Sequence, residues 1–134
     1  MSDAHETLQP SAWPRPMGYA NGIAARGRFV FVAGQIGWDA QAHLVGVAFV
    51  EQAAQALRNI VAVLAEAGAR PDHLVRLTWY VADRTEYRAA TRELGRVYRE
   101  IIGPHYPAMT AVQVAGFIED GVRVEIEATA VVPD

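Results

Sequence analysis

The sequence predicts an α+β fold in which one mixed β-sheet carries two helices on one face. Two patterns support this: several segments alternate apolar and polar residues with period two, and two longer segments place apolar residues at helical spacing. The elements follow the order β-β-α-β-α-β-β, with strand pairs at both ends. Such an order favours a single layered domain whose second sheet face is covered by solvent or by another subunit.

The N-terminal residues 1–17 contain three prolines and no hydrophobic periodicity. We therefore expect an extended arm there, followed by a single domain over residues 18–134. Two short strands should come next, over residues 19–25 and 28–33, joined as a hairpin at Arg26-Gly27. These strands open the predicted sheet.

The second strand ends at Gly34, and Gly37 follows three residues later. A Gly-x-x-Gly segment after a strand can bind phosphate when a helix begins directly behind it. Residues 38–43 resemble a loop instead, so nucleotide binding is disfavoured.

The first helix is predicted from Phe49 to Ala67, with Gln52 among its polar positions. It lacks an obvious N-cap side chain, but Gly68 stands where a left-handed residue commonly ends a helix, and Pro71 follows as a stop. The helix should therefore end sharply before the next strand.

A second helix should begin at Asp83, which forms a capping-box spacing with Glu86, and continue to residue 102. Glutamates interleave with its arginines, and Arg96 with Glu100 is an i,i+4 pair. A solvated, charged face is therefore favoured over an anion-binding row. The five arginines of this face are Arg84, Arg88, Arg92, Arg96 and Arg99.

Residues 75–81 are predicted to form a strand between the helices, and its Trp79 together with the aliphatic strand pattern favours an oligomer. Residues 106–114 and 122–132 are predicted to form a closing hairpin around a turn at 116–121. In the last strand Glu125 and Glu127 share the polar face, which is most often simply solvated.

Several residue types are missing, and their absence narrows the chemistry. The chain has no cysteine and no lysine, and its only serines are Ser2 and Ser11. This disfavours disulfides, thiolate metal sites, a Schiff-base or P-loop lysine, and a Ser-His-Asp triad. The four histidines show no ligand spacing, so we expect neither a metal nor a cofactor. The function classes that these absences leave are chemistry on a small molecule and binding of a small molecule.

The net charge of −3 disfavours nucleic acid as a partner. The N-terminal segment is polar and acidic, and no apolar run is long enough to span a membrane. We therefore expect a soluble cytoplasmic protein that does not bind membranes.

Short motifs follow one another along residues 18–132. They are Gly18-Tyr19, Val30-Phe31-Val32-Ala33-Gly34-Gln35-Ile36, Ala56-Leu57-Arg58-Asn59-Ile60, Ala67-Gly68, Asp83 after the strand 75–81, Val97-Tyr98, Pro107-Ala108, Val112-Gln113-Val114 and Val124-Glu125-Ile126-Glu127-Ala128. In this order and spacing the sequence resembles the Rid family, also called RidA or YjgF. The resemblance implies a chorismate-mutase-like protomer, assembled as a homotrimer with small-molecule clefts between subunits.

The family's best-known members hydrolyse reactive enamines and imines, using an arginine to bind the substrate carboxylate and a glutamate to position water. The resemblance assigns the water-positioning role to Glu125 and places Tyr19 and the Gly34 backbone in the site. The arginine position is occupied by Met109, and a thioether cannot replace a guanidinium. Two further positions differ, because Ala33 replaces a common serine and Gly95 a common asparagine.

The resemblance therefore leaves two hypotheses. In the first, the protein is a hydrolase of the deaminase type, acting on a reactive metabolite that is neutral or aromatic rather than a small carboxylate, with Glu125 and Tyr19 catalytic and Met109 lining the pocket. In the second, the trimer binds or regulates without catalysis. An endoribonuclease activity, also associated with the family, is disfavoured by the acidic charge and the lack of lysine.

Overall fold

The computed structural model describes residues 4–134, which form a four-stranded sheet, a separate two-stranded ribbon and three α-helices. A short 3-10 turn, Pro71–His73, precedes the fourth strand. In chain order the elements are β1 (Glu6–Leu8), β2 (Gly22–Ala24), β3 (Arg28–Gln35), α1 (Phe49–Glu66), β4 (Leu74–Val81), α2 (Arg84–Ala89), α3 (Thr91–Ile101), β5 (Ala108–Gln113) and β6 (Val124–Val132). The predicted α+β class is confirmed.

The main sheet has the strand order β3-β6-β4-β5. Strand β6 is antiparallel to both of its neighbours, whereas β4 and β5 are parallel. The predicted closing hairpin of β5 with β6 is therefore wrong, because β4 lies between them. Helices α2 and α3 form the crossover that a parallel β4–β5 pair requires.

The predicted N-terminal hairpin is also wrong. Strand β2 pairs antiparallel with β1, while β3 pairs with β6. Gly27 does mark the bend between them, with a φ of +141°, and a Cβ there would meet the Val132 carbonyl oxygen at 2.0 Å. The close approach of the last strand, rather than a hairpin turn, requires glycine at this position. The arm expected to be extended contributes strand β1 to the ribbon.

The core lies between one face of the sheet and helices α1 and α3. Helix α1 spans the predicted segment and buries Leu57, Ile60 and Leu64 completely against β3 and β6. Each such side chain contributes about 1.5–3 kcal/mol relative to exposure. Gly68 has a φ of +69°, so the predicted left-handed end of the helix is confirmed.

Gln52 is not on a polar face as predicted, because it is fully buried. Its side-chain nitrogen donates to the carbonyl oxygens of Gly46 and Gly121, each at 2.9 Å, and its side-chain oxygen accepts from the Arg123 backbone at 2.7 Å. The buried amide therefore fastens two loops to the helix, a role that helical periodicity alone does not reveal.

The second predicted helix is divided in two, because Ala90 departs from helical geometry with φ −100° and ψ 7°. Asp83 caps α2 as predicted and accepts from the Thr85 backbone at 2.8 Å. Glu86 does not complete the box. It forms an ion pair with Arg123 at 2.8 Å, which joins α2 to the residue before β6.

Trp79 lies inside the protomer. It is 3% exposed and meets Tyr87 edge-on, with ring centroids 6.2 Å apart. Its use as an indication of an oligomer is therefore wrong. The open sheet face instead presents Phe29 and Phe31, which are 57% and 74% exposed with ring centroids 6.1 Å apart.

The 3-10 turn contains a buried histidine. His73 is 3% exposed, and its Nδ1 accepts the Arg70 backbone N–H at 3.0 Å. Burial lowers the pKa of His73, and the neutral ring is the form that can accept this hydrogen bond.

Across residues 4–134, no helix has the length and apolar character that crossing a bilayer requires.

Candidate functional site

Glu125 lies on the open face of the sheet, opposite the helices. The alternation of β6 buries Val124 and Ile126 in the core and leaves Glu125 half-buried on the other side. Tyr80 of β4 pairs with it directly across the strands. Because β6 is an inner strand paired on both sides, the backbone fixes the face of the sheet from which this side chain projects.

Gly34 stands against the Glu125 carboxylate. A Cβ at Gly34 would lie 2.1 Å from Glu125 Oε2 and 2.9 Å from its Cδ, which is far inside van der Waals contact. The pairing of β3 with β6 is irregular between Val32 and Gln35, so Gly34 lies in the interruption. The missing side chain therefore makes the space that the carboxylate occupies.

The two acids of β6 differ in their bonding. The Tyr80 hydroxyl donates to Glu127 Oε1 at 2.7 Å, and this hydrogen bond is the main reason that the pKa of Tyr80 is raised. Within residues 4–134, the Glu125 carboxylate has neither a hydrogen bond nor an ion pair. Of these two acids, Glu125 is therefore the one whose carboxylate has no partner among the described residues.

Met109 faces the other side of the sheet. It pairs with Leu77 in the parallel β4–β5 register and packs, partly buried, against the margin of the core. Met109 and Glu125 of one protomer therefore point to opposite faces of the sheet. One copy of the chain does not bring these two predicted site residues together.

Tyr19 and Gly95 line a common cleft of about 1110 Å³ between the N-terminal arm, α3 and the start of β5. Tyr19 is 38% exposed, and the next residue, Ala20, donates its backbone N–H to the Pro107 oxygen at 3.0 Å. A Cβ at Gly95 would meet nothing within 4 Å, so the helix leaves open space there. Glu125 and Gly34 are not part of this wall.

Ala33 precedes Gly34 in β3, on the open face of the sheet, and is exposed. Its carbonyl oxygen accepts a hydrogen bond from the Gln35 side chain at 3.1 Å. The structure thus groups the predicted residues into two places, Gly34 with Glu125 on the sheet and Tyr19 with Gly95 in the cleft. Their roles remain predictions.

No group of three or more histidine, aspartate or glutamate side chains converges as a metal site within the part of the chain that the structure describes. The polar groups at hand include the Glu125 carboxylate on the sheet, and the Tyr19 hydroxyl and two arginines, Arg15 and Arg99, in the cleft. Such groups can orient water and polarise a small ligand.

Solved structures and sequence relatives share this architecture. YyfB of Yersinia pestis, described as a protein of the conserved Rid family, superposes with a TM-score of 0.83 at 30% identity, covering 96% of this chain and 99% of YyfB. The family model described as Endoribonuclease L-PSP matches residues 12–132. The chain belongs to the Rid family.

Other Rid relatives carry names that state an activity or only a family. A RutC family protein of Synechocystis is 39% identical over 129 residues, covering 94% of this chain and 95% of that protein. The 2-iminobutanoate/2-iminopropanoate deaminase of the goat Capra hircus is 39% identical over 105 residues, covering 78% and 73%. Imine hydrolysis is thus an activity named within the Rid family.

Sequence reasoning missed two features of this region. Tyr80 belongs to the strand predicted over residues 75–81, and the sequence does not reveal its hydrogen bond to Glu127, which distinguishes that acid from Glu125. Arg99 was assigned to a solvated helix face, yet it lines the cleft beside Gly95. The i,i+4 spacing of Gly95 and Arg99 was the available signal for the second.

Proposed function

We propose that this Rid protein forms a homotrimer and hydrolyses an imine or enamine with a neutral or aromatic body in clefts between subunits. The observation that carries the proposal is the unpaired Glu125 carboxylate held against the Gly34 backbone. A carboxylate without a protein partner can accept a proton from water, which is the step that imine hydrolysis needs.

In the proposed reaction, Glu125 orients a water molecule toward the imine carbon and accepts its proton as the new C–O bond forms. Glu125 returns that proton to nitrogen, which gives a carbinolamine. The carbinolamine hydroxyl then loses its proton to Glu125, which passes it to nitrogen as the C=O bond forms and the C–N bond breaks, and the products are a carbonyl compound and ammonia or an amine. An enamine first takes up a proton at carbon and enters as the imine. Tyr19 covers the substrate and donates a hydrogen bond to it from its hydroxyl. The Gly34 backbone helps to position the substrate.

The trimer is part of the proposal because one protomer separates the predicted site residues. Its cleft holds Tyr19 and Gly95, whereas Glu125 lies on the open face. That face also presents Phe29 and Phe31, whose exposure is unusual for a monomer. Light scattering should give three times the chain mass of 14.6 kDa, and a stable monomer would refute the assembly.

The preference for a neutral or aromatic substrate follows from Met109. Its thioether packs at the core margin and offers no charge to a small carboxylate. The relatives named 2-iminobutanoate/2-iminopropanoate deaminases act by name on small carboxylates, so this chain should differ from them in substrate. We place the activity in the cytoplasm, consistent with a chain that lacks cysteine.

The absence of an arginine at position 109 also supports a second candidate function, a trimer that binds a ligand without converting it. Endoribonuclease activity is a weaker candidate, because the chain carries a net charge of −3 and no lysine.

Turnover of imines separates the first two candidates. Imines generated in place by an amine oxidase from neutral and aromatic amines serve as substrates, and ammonia release above the uncatalysed rate is measured. Glu125→Gln should lower the rate by about 10²–10⁴ while the trimer persists. Glu127→Gln is the matched control, because its amide oxygen still accepts from Tyr80.

Survival of turnover in Glu125→Gln would show that this acid is not the base. Ligand binding without any turnover, in both the parent protein and the control, would favour the binding candidate.

A further inference from the structure

The cleft beside Tyr19 carries positive charge without a counter-charge. Arg15 and Arg99 line it, and neither forms an ion pair or hydrogen bond to a described residue of the chain. Asp72 is the acid in its wall, and both of its oxygens already accept from Arg70, at 3.0 and 3.2 Å. A protein with an acidic net charge thus presents a locally cationic cleft, which favours an anionic ligand.

Arg99 is placed to serve this cleft. It follows Gly95 by four residues on α3, so the two positions share one helix face. Helical side chains lean toward the N-terminal end of the helix, which directs Arg99 over the space that Gly95 leaves open. The neighbouring arginine on this helix is differently engaged, because Arg96 pairs with Glu100 at 3.0 Å. Arg99 is therefore available to a ligand.

The rest of the wall is aromatic. Trp13 and Tyr19 are 57% and 38% exposed, and both line the cleft. Tyr106 lines it too, and its ring stacks on Tyr98 with centroids 5.4 Å apart and planes 18° from parallel. The Tyr98 hydroxyl donates to the His105 carbonyl, which fixes that stack. Rings held in this way offer a flat apolar surface to a planar ligand.

We propose that this cleft binds an aromatic carboxylate, with Arg99 pairing with the carboxylate and the tyrosine and tryptophan rings packing on the aromatic body. This inference rests on the proposed function and narrows its substrate from the neutral and aromatic classes to aromatic acids, because it assigns an anion anchor on α3 to a chain whose β5 carries Met109. A guanidinium binds a carboxylate through two parallel hydrogen bonds, and Arg15 adds charge from the arm. A small acid gains the ion pair but not the aromatic wall, so it should bind weakly.

Calorimetric titration of the intact protein tests this with three probes: phenylacetate, its neutral amide phenylacetamide, and acetate. Phenylacetate should bind at one site per chain, at least tenfold more tightly than either of the others. Arg99→Gln should weaken phenylacetate about ten- to hundredfold and leave phenylacetamide nearly unchanged. Arg92→Gln is the matched control, because Arg92 is exposed on the same helix and does not line the cleft.

Equal affinity for phenylacetate and phenylacetamide would overturn the proposal, as would an equal loss in the Arg99 and Arg92 variants. The same titration of Glu125→Gln separates the inference from the catalytic proposal. Retained binding in that variant supports the anchor whether or not the protein turns over imines. Selective loss in Arg99→Gln, with the trimer intact, excludes a general folding defect.

Discussion

Substituting Gly34 by alanine should remove activity while leaving the fold stable. The new Cβ would lie 2.1 Å from Glu125 Oε2, and the nearest atoms are those of the acid's own side chain. The φ of Gly34 is not positive, so the alanine backbone is unstrained. The clash is therefore relieved by rotation of Glu125, which moves the carboxylate from its place.

The size of the effect follows from the geometry. Restoring an ordinary contact of about 3.4 Å requires the oxygen to move by about 1.3 Å. A misplacement of about 1 Å at a reacting group costs about 10²-fold in rate. A displaced rotamer costs about 0.5–1.5 kcal/mol. Alanine regains about 0.4–1 kcal/mol by restricting the unfolded chain. The net change in unfolding free energy should thus be close to zero.

The assay combines urea unfolding with ammonia release from the substrate that the imine screen finds. Gly37→Ala is the informative comparison, because its Cβ would lie 2.6 Å from the Cα of Gln52, in the backbone of α1. A helix backbone cannot rotate aside, so Gly37→Ala should destabilise the protein clearly. The double variant Gly34→Ala/Glu125→Gln should be no less active than Glu125→Gln alone. Both substitutions act through the same Glu125 carboxylate, so their effects on the rate should not add.

Full activity in Gly34→Ala would refute this reasoning, because the carboxylate would then be dispensable at its observed position. A large loss of stability would show that the contact is structural instead.

Three further outcomes are expected. Gln52→Leu should lower the free energy of unfolding by about 3 kcal/mol, since it leaves buried backbone groups without partners, whereas Glu66→Gln, at an exposed position of the same helix, should change it little in the same urea titration. Stability should fall as the pH drops below about 6.5, because the unfolded chain then protonates His73 while burial lowers the pKa of His73 in the fold. His73→Gln should therefore flatten the dependence of the urea midpoint on pH, and an unchanged profile would contradict this role. Met109→Arg should raise hydrolysis of 2-iminopropanoate by about ten- to hundredfold over a negligible parent rate, and an unchanged rate would show that position 109 does not face the substrate.

The sequence predicted the elements better than their pairing. Period-two alternation identified the last strand and its two faces correctly, because burial acts on each residue along that strand. Alternation carries no information about which strand lies alongside, and both predicted hairpins proved wrong. In each case a short polar loop made the nearest neighbour in sequence look like the nearest neighbour in the sheet.

For the candidate site, the sequence predicted which residues are candidates but not the contacts that distinguish them. Glu125 and Glu127 have the same pattern, and their difference depends on Tyr80, forty-odd positions earlier in the chain and adjacent only after folding. Gly34 followed from the family resemblance, but its reason is a contact with a strand near the other end of the sequence. The position of Arg99 in the cleft could not be predicted, because the sequence does not show which arginines of the helix pair with an acid and which face a cleft.

The position of β6 has a consequence for how the chain is made. Arg28, at the start of β3, pairs with Val132, so β3 lacks this partner strand until about a hundred further residues have been synthesised. Until β6 inserts, β3 and β4 have no contact through a common strand and the apolar face of α1 has no complete sheet to cover. Long-range pairing of this kind slows folding and prolongs exposure of apolar surface. A ribosome pause within residues 124–132 should therefore leave a nascent chain that depends on chaperones.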